Sequence, residues 1–349
     1  LSIDKSTIDV EDIYTSINAI KEKVFVNPDS LVLVPNPEFQ NLTISSLTTT
    51  SNDKTISFPV ATLKAAAQNS IAYRYTLQEL NTFVITGNDS IYDIHNQPDT
   101  NGVGPLDLYD PNTNTGTITE LYLTDRAKFL ELKIQLGLSD EAGTDTGFDY
   151  YEDKATGFII KNKDATEIGI RNNPNFVFGS DETDVIEGNI DADHLFGGAG
   201  HDKISGGAGN DIIEGNIGDD TLIGGKGADT LLGGAGFDRY LVTNGDFVSD
   251  DNDGEGLIQF RRELQNDGFT DTTVTTGIRR STDPANTYKS ADEQFTYTLS
   301  GTTLSVTIDY DDVPDHTITV LNYVSGDLGI NLINAGDEQL IGTDNVDIR

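Results

Sequence analysis

The spacing of apolar residues along the chain changes twice. Before residue 176 hydrophobic positions recur at intervals of three and four, which is the period of amphipathic helices. Val10, Ile13, Ile17 and Ile20 predict a helix over Val10 to Lys23. A second helix is expected to open at Phe58-Pro59, with proline in the first turn and Val60, Leu63, Ala67, Ile71 and Tyr75 on one face. Leu123, Ala127, Leu130 and Ile134 place a third from about Thr119 to Leu136. Between the last two, the run TFVIT at 82 to 86 reads as a strand, and the Ser/Thr-rich stretch 44 to 52 as a loop. Beyond residue 242 the period falls to two. FTYTLSGTTLSVTID at 295 to 309 alternates around a Ser-Gly turn and predicts a hairpin, with HTITVLNY from His316 as a further strand.

Between these parts the sequence repeats every nine residues. Residues 179 to 241 read GSDETDVIE, GNIDADHLF, GGAGHDKIS, GGAGNDIIE, GNIGDDTLI, GGKGADTLL and GGAGFDRYL, with aspartate at each sixth position and a hydrophobe or Tyr240 at each eighth. This is a known pattern for calcium-binding β-helix repeats. The first six residues of a unit must turn sharply, which glycine permits because it tolerates positive φ. The last three form a short strand whose middle residue points opposite to its neighbours. Ile186, Leu195, Ile204, Ile213, Leu222, Leu231 and Tyr240 are therefore expected to line one interior, with successive units alternating between two facing sheets.

If unit n stacks on unit n+2, Asp184, Asp202, Asp220 and Asp238 align along one edge and Asp193, Asp211 and Asp229 along the other. Each adjacent pair can share an ion, giving three sites on the first edge and two on the second, about five Ca²⁺ in all. Carbonyl oxygens of the turn glycines complete the expected ligand set: Gly197, Gly198, Gly200, Gly206, Gly207, Gly209, Gly218, Gly224, Gly225, Gly227, Gly234 and Gly236. The repeats carry 13 acidic against 3 basic residues, a net −10 that about five divalent ions would neutralise. Seven buried side chains offset only part of the entropy of ordering 63 residues rich in glycine. The segment is therefore expected to be unfolded without calcium and to fold with it. Some units depart from the pattern: Ser180 and Glu182 replace glycines in the first, which makes its site the weakest, and Asn189, Asp191 and Asn216 occupy other turn positions.

These nonapeptides resemble those of the RTX family, the "repeats in toxin" proteins with haemolysin-type calcium repeats. The resemblance covers 63 of 349 residues. It implies a parallel β-roll, export from Gram-negative bacteria by type I secretion, an extracellular location and folding on meeting external calcium. It does not imply one activity, because members include toxins, proteases, lipases, epimerases and adhesins. The runs YTLQELNTFVITG, LYLTDRAKFLELK and YYEDKATG also resemble segments of large lipase-like RTX proteins, which would put any nucleophile upstream of Leu1.

The rest of the chemistry is sparse. A net charge of −36 argues against nucleic acid or anionic membrane as partner. The absence of cysteine removes disulfides and thiol catalysis, and no stretch approaches 18 apolar residues. Neither H-E-x-x-H nor G-x-S-x-G occurs, so no catalytic residue is assigned. His95 is a candidate triad member only if the chain is part of a lipase-like hydrolase; an adhesin segment is the third alternative. Asp110, Asn112, Asn114 and Gly116, within the acidic loop 99 to 116, have the alternate oxygens of a calcium loop without its bidentate glutamate, and an Asx-turn loop fits as well. DDNDGEG at 250 to 256 admits one more ion or a solvated turn.

The expected architecture is β-dominated: an α+β region over 1–176, the roll over 177–241, and an antiparallel β cap over 242–349. Ile223, Leu232 and Leu241 occupy outward ninth positions, and the C-terminal strands are expected to cover this end of the roll and cap it. The opening LSIDKSTIDVED has no signal-peptide pattern, and IGTDNVDIR at 341 to 349 looks like a further glycine-aspartate turn cut short, so the chain is expected to be part of a larger secreted polypeptide.

Overall fold

The computed structural model describes residues 42–51, 54–98, 102–110, 115–135, 150–161, 174–250, 255–263, 269–280, 282–310 and 314–334. The helix expected at Val10–Lys23 and the motif at 341–349 lie outside them. The chain forms two compact units, one from residues 1–98 with 120–138, the other from 99–119 with 139–349.

In the first unit β1 (Thr43–Ser46) pairs antiparallel with β4 (Phe83–Thr86), and β2 (Thr48–Ser51) with β3 (Lys54–Ser57). The stretch read as a loop is therefore largely strand: threonine is β-branched and suits a pleated surface even where few residues are apolar. The second helix is two, α1 (Val60–Asn69) and α2 (Ile71–Gln78), separated by Ser70 in an extended conformation. That break carries Leu63 and Ala67 into the core on one helix and Ala72, Tyr75 and Leu77 on the next. Helix α3 (Glu120–Gln135) buries Leu123, Ala127, Leu130 and Ile134, the stripe read from spacing. Its Glu120 meets Lys64 at 2.9 Å and Gln68 at 3.0 Å across the α1 contact.

The second unit is built on stacked turns. Strands β5 (Tyr150–Asp153), β6 (Phe158–Lys161) and β7 (Asn175–Phe178) precede the repeats. The repeats supply β8 (Val185–Glu187), β9 (His194–Ala199), β10 (Lys203–Ala208), β11 (Ile212–Ile217), β12 (Thr221–Lys226), β13 (Thr230–Ala235) and β14 (Arg239–Val242). Each pairs in parallel with the strand two units on: β8, β10, β12 and β14 form one sheet, and β9, β11 and β13 the other. The register superposes Ile186, Ile204, Leu222 and Tyr240 in one row and Leu195, Ile213 and Leu231 in the other. All seven are 0–1% exposed, so the eighth-position residues are the interior of a parallel β-solenoid.

The coil runs beyond the repeats at both ends. Strand β7 lies in parallel beneath β9, and β5 beneath β7. Past the repeats, β15 (Phe247–Ser249) and β16 (Leu257–Glu263) continue the two sheets in parallel on β13 and β14. The antiparallel cap then follows as β17 (Phe269–Thr273), β18 (Gly277–Arg279), β19 (Thr287–Lys289), β20 (Phe295–Ser300), β21 (Thr303–Ile308), β22 (His316–Val320) and β23 (Leu332–Asn334). The predicted hairpin is β20–β21, turning at Gly301 with φ 63°. Strand β22 joins β15, so Val320, Val248 and Leu231 prolong one interior row.

The cap covers this end of the solenoid by extending its sheets end-on. Every unpaired N–H and C=O at the open edges of the last turn needs a partner, and β16 and β22 bring one. Leu241 is buried, but Ile223 and Leu232 remain half-buried.

Candidate metal centre

Every sixth-position aspartate folds back into its own turn and faces its counterparts along the coil. Oδ1 of Asp202 accepts the backbone N–H of Asp184 at 2.7 Å, Asp220 that of Asp202 at 2.7 Å, and Asp238 that of Asp220 at 2.9 Å. On the opposite edge Asp211 accepts from Asp193 at 2.9 Å and Asp229 from Asp211 at 2.8 Å. The aspartates thus align in rows of four and three. A second ladder runs outside each row through the fifth positions: Asp219 N–H donates to His201 Nδ1, Phe237 N–H to Asp219 Oδ1, and Ala228 N–H to Asn210 Oδ1, each at 2.9 Å.

One row has a member the nonapeptide spacing does not contain. Asp246 Oδ1 accepts the Asp229 N–H at 3.0 Å, 17 rather than 18 residues on, and its Oδ2 accepts the Thr243 N–H at 2.6 Å. The run TNGDFVS is thus an eighth turn shortened by one residue, with both carboxylate oxygens taken by backbone.

The second carboxylate oxygen divides the row members. Oδ2 of Asp184 accepts from Ser180 N at 2.8 Å and Ser180 Oγ at 2.9 Å, and Oδ2 of Asp193 from Asn189 N at 2.5 Å. Oδ2 of Asp202, Asp211, Asp220 and Asp229 is buried without a hydrogen-bond partner among the described residues. Burial raises these carboxyls from the ordinary 3.8, to about 6 for Asp202 and about 7 for Asp211 and Asp220, and it raises Asp229 as well. A buried, unpaired carboxylate is costly unless something positive meets it.

The first glycine of each unit makes the space that faces this oxygen. A Cβ on Gly197 would lie 2.5 Å from Asp202 Oδ2 and 2.6 Å from the Gly215 carbonyl oxygen. On Gly206 it would lie 2.1 Å from Asp211 Oδ2 and 2.7 Å from Gly224 O, and on Gly215 2.4 Å from Asp220 Oδ2 and 2.6 Å from Gly233 O. Each niche is lined by a carboxylate oxygen from its own turn and a carbonyl oxygen from the turn two units on. A Cβ on Gly224 would lie 2.5 Å from Asp229 Oδ2, and one on Gly233 2.1 Å from Asp238 Oδ2 beside the Tyr240 hydroxyl; Gly215 and Gly233 are not among the glycines expected as ligands from the sequence.

The second and fourth positions have a different task. Gly198, Gly200, Gly207, Gly209, Gly218, Gly225, Gly227, Gly234 and Gly236 all have positive φ, which brings stacked turns into backbone contact. A Cβ on Gly218 would sit 1.5 Å from the Gly200 carbonyl oxygen. Asn216 holds the same left-handed conformation with φ 77°.

The donor set is oxygen throughout, which suits a hard divalent cation such as Ca²⁺ and not zinc or copper. Among the described residues no group of three or more His, Cys, Asp or Glu side chains is placed to hold a metal. Any ion here must rely on carbonyl oxygens for most of its shell, as the niches allow.

The other candidates are less developed. Leu108 and Ile118 form a parallel bridge and Asp110 and Thr115 an antiparallel one; Asn112, Asn114 and residues 251–254 lie outside the described residues. His95 packs its ring on Tyr75 at 4.6 Å.

Comparison with family models matches residues 178–213 and 205–240 to the RTX calcium-binding nonapeptide repeat, in four copies. No curated protein matches the chain. The repeat segment is accordingly an array of RTX calcium-binding nonapeptide repeats, a type of repeat typical of secreted extracellular bacterial proteins.

Proposed function

We propose that this chain is a calcium-triggered folding module of a secreted protein, taking up about five Ca²⁺ between the stacked aspartates. The observation that carries the reading is the buried, unpartnered Oδ2 of Asp202, Asp211, Asp220 and Asp229 beside rows of carbonyl oxygens. The pairs Asp202–Asp220, Asp220–Asp238 and Asp211–Asp229 would hold three ions. Asp184–Asp202 and Asp193–Asp211 would hold two weaker ones, because Asp184 and Asp193 already spend Oδ2 on backbone N–H groups. Bound calcium supplies the positive charge that the buried carboxylates lack and cross-links turns that otherwise repel.

Calcium availability then orders the steps. Weak extracellular sites fill at about 10⁻⁴–10⁻³ M, far above resting cytosolic levels. The chain would leave its cell unfolded and coil outside, presenting whatever it is joined to. No described helix is long and apolar enough to cross a membrane. Equilibrium dialysis against millimolar calcium tests the stoichiometry: about five ions per chain support the reading, and one or none contradicts it.

A further inference from the structure

A buried acid and a departure from the repeat pattern sit side by side on one outer face. Glu214, at the ninth position of the fourth unit, is 1% exposed, and Asn216 replaces the second-position glycine of the fifth. Both reach the loop formed by residues 102–110 and 115–119, which belongs to the same compact unit as the roll. Thr119 Oγ1 donates to Glu214 Oε1 at 2.8 Å, and Asn216 Nδ2 donates to the Thr117 carbonyl at 2.8 Å. Tyr109 hydrogen-bonds Ser249, and burial together with the nearby Glu214 carboxylate raises its hydroxyl above the ordinary value.

The equivalent rows on the opposite sheet carry the same pair, Glu187 and Asn189, stacked on Ser205 and Gly207 and on Ile223 and Gly225. There Glu187 is exposed, and Asn189, Ser205 and Ile223 border an open groove of about 550 Å³. On the Glu214 side the loop leaves only about 30 Å³, between Tyr109, Thr117, Leu232 and Asp250. Glu214 and Asn216 each hydrogen-bond the loop. Both are accounted for by the loop, and so is Leu232, whose half-buried side chain lines the same small cavity.

We propose that this face is a docking surface for residues 102–110 and 115–119, and that calcium orders them by creating the surface. The inference rests on calcium folding of the repeats. Glu214 and Asn216 lie two residues apart on β11, and Leu232 comes beside Glu214 only when β13 stacks on β11. The chain enters the loop from one compact unit and returns to it at Glu120, so an ion bound in the repeats acts on a segment some hundred residues earlier in sequence.

Hydrogen exchange on the full chain, in chelator and in millimolar calcium, tests this. The amides of Tyr109, Asp110, Thr117 and Ile118, which are bonded within the loop, report on it, and those of 203–241 report on the roll. Both sets are expected to gain protection together, the loop by at least ~10-fold. In a Thr119→Val/Asn216→Gly variant the roll keeps its calcium protection, since glycine suits φ 77°, while the loop loses roughly 10-fold or more of its own. Protection of 203–241 without any change at 102–119 overturns the docking inference alone, as does a loop equally protected in the double variant. No change at either segment instead removes the calcium-folding premise.

Discussion

Replacing Asp220 by asparagine separates a calcium ligand from a merely structural aspartate, because the two roles predict opposite signs. Asparagine keeps the Oδ1 that accepts the Asp202 N–H at 2.7 Å, so the backbone ladder survives. What changes is Oδ2, which is buried and has no partner among the described residues. Burial raises the Asp220 carboxyl from 3.8 to about 7. A raised carboxyl stabilises the metal-free roll fully below about pH 4 and loses that contribution as pH climbs through about 7. At pH 8 its ionisation therefore costs the metal-free fold on the order of 4 kcal/mol, which asparagine removes. With calcium the sign reverses, because asparagine withdraws a carboxylate from two proposed ion positions and should raise the calcium midpoint by at least ~10-fold. The assay is the far-ultraviolet circular dichroism of the full chain at pH 8, titrated with calcium from chelator upward. Asp220→Asn should show more β signal than wild type in chelator and a weaker calcium response. A variant with an unchanged midpoint, or with less metal-free β structure than wild type, refutes the reasoning.

Other outcomes follow from the same geometry. Asp184→Asn should move the calcium midpoint less than ~3-fold, since its Oδ2 already accepts from Ser180; a shift as large as that of Asp220→Asn in parallel titrations would equate the end site with the central ones. Lowering pH from 8 to 5 in chelator should raise the β signal, because Asp202, Asp211 and Asp220 protonate at about 6 to 7, and the calcium midpoint should rise as protons compete; a pH-independent midpoint argues against these carboxylates as ligands. Gly218→Ala, whose Cβ would lie 1.5 Å from backbone, should abolish calcium-induced folding, whereas Gly301→Ala, with open space around it, should cost only ~1 kcal/mol in thermal unfolding of the calcium form. Ile213→Ala, at the centre of one interior row, should destabilise the calcium-loaded roll by about 2–5 kcal/mol in urea unfolding.

The roll was legible in the sequence because its two determinants are periodic. A hydrophobe every ninth residue can be buried only if alternate units share a sheet, and that same parity sorts the aspartates into their rows. The legible part ends where the period does. Asp246 continues its row after a deletion of one residue, which destroys the nonapeptide spacing but not the stacking. Strands β5 and β7 extend the coil without any glycine-aspartate turn at all. Asn216 looks like a tolerated imperfection and Glu214 like an ordinary outward acid until Thr117 and Thr119 are seen against them, since a contact across about a hundred residues has no local signature. The strand character of 43–51 was hidden for another reason: serine and threonine are common in loops, and only the partner strands β3 and β4 decide between the two.

Circular dichroism of the intact chain, first in excess chelator and then in millimolar calcium, tests the central claim most directly. A chain whose repeats fold on calcium gains a strong β signal that chelator reverses. The same β spectrum in both conditions would mean that the stacked aspartates hold their turns together without an ion, and the account would be wrong.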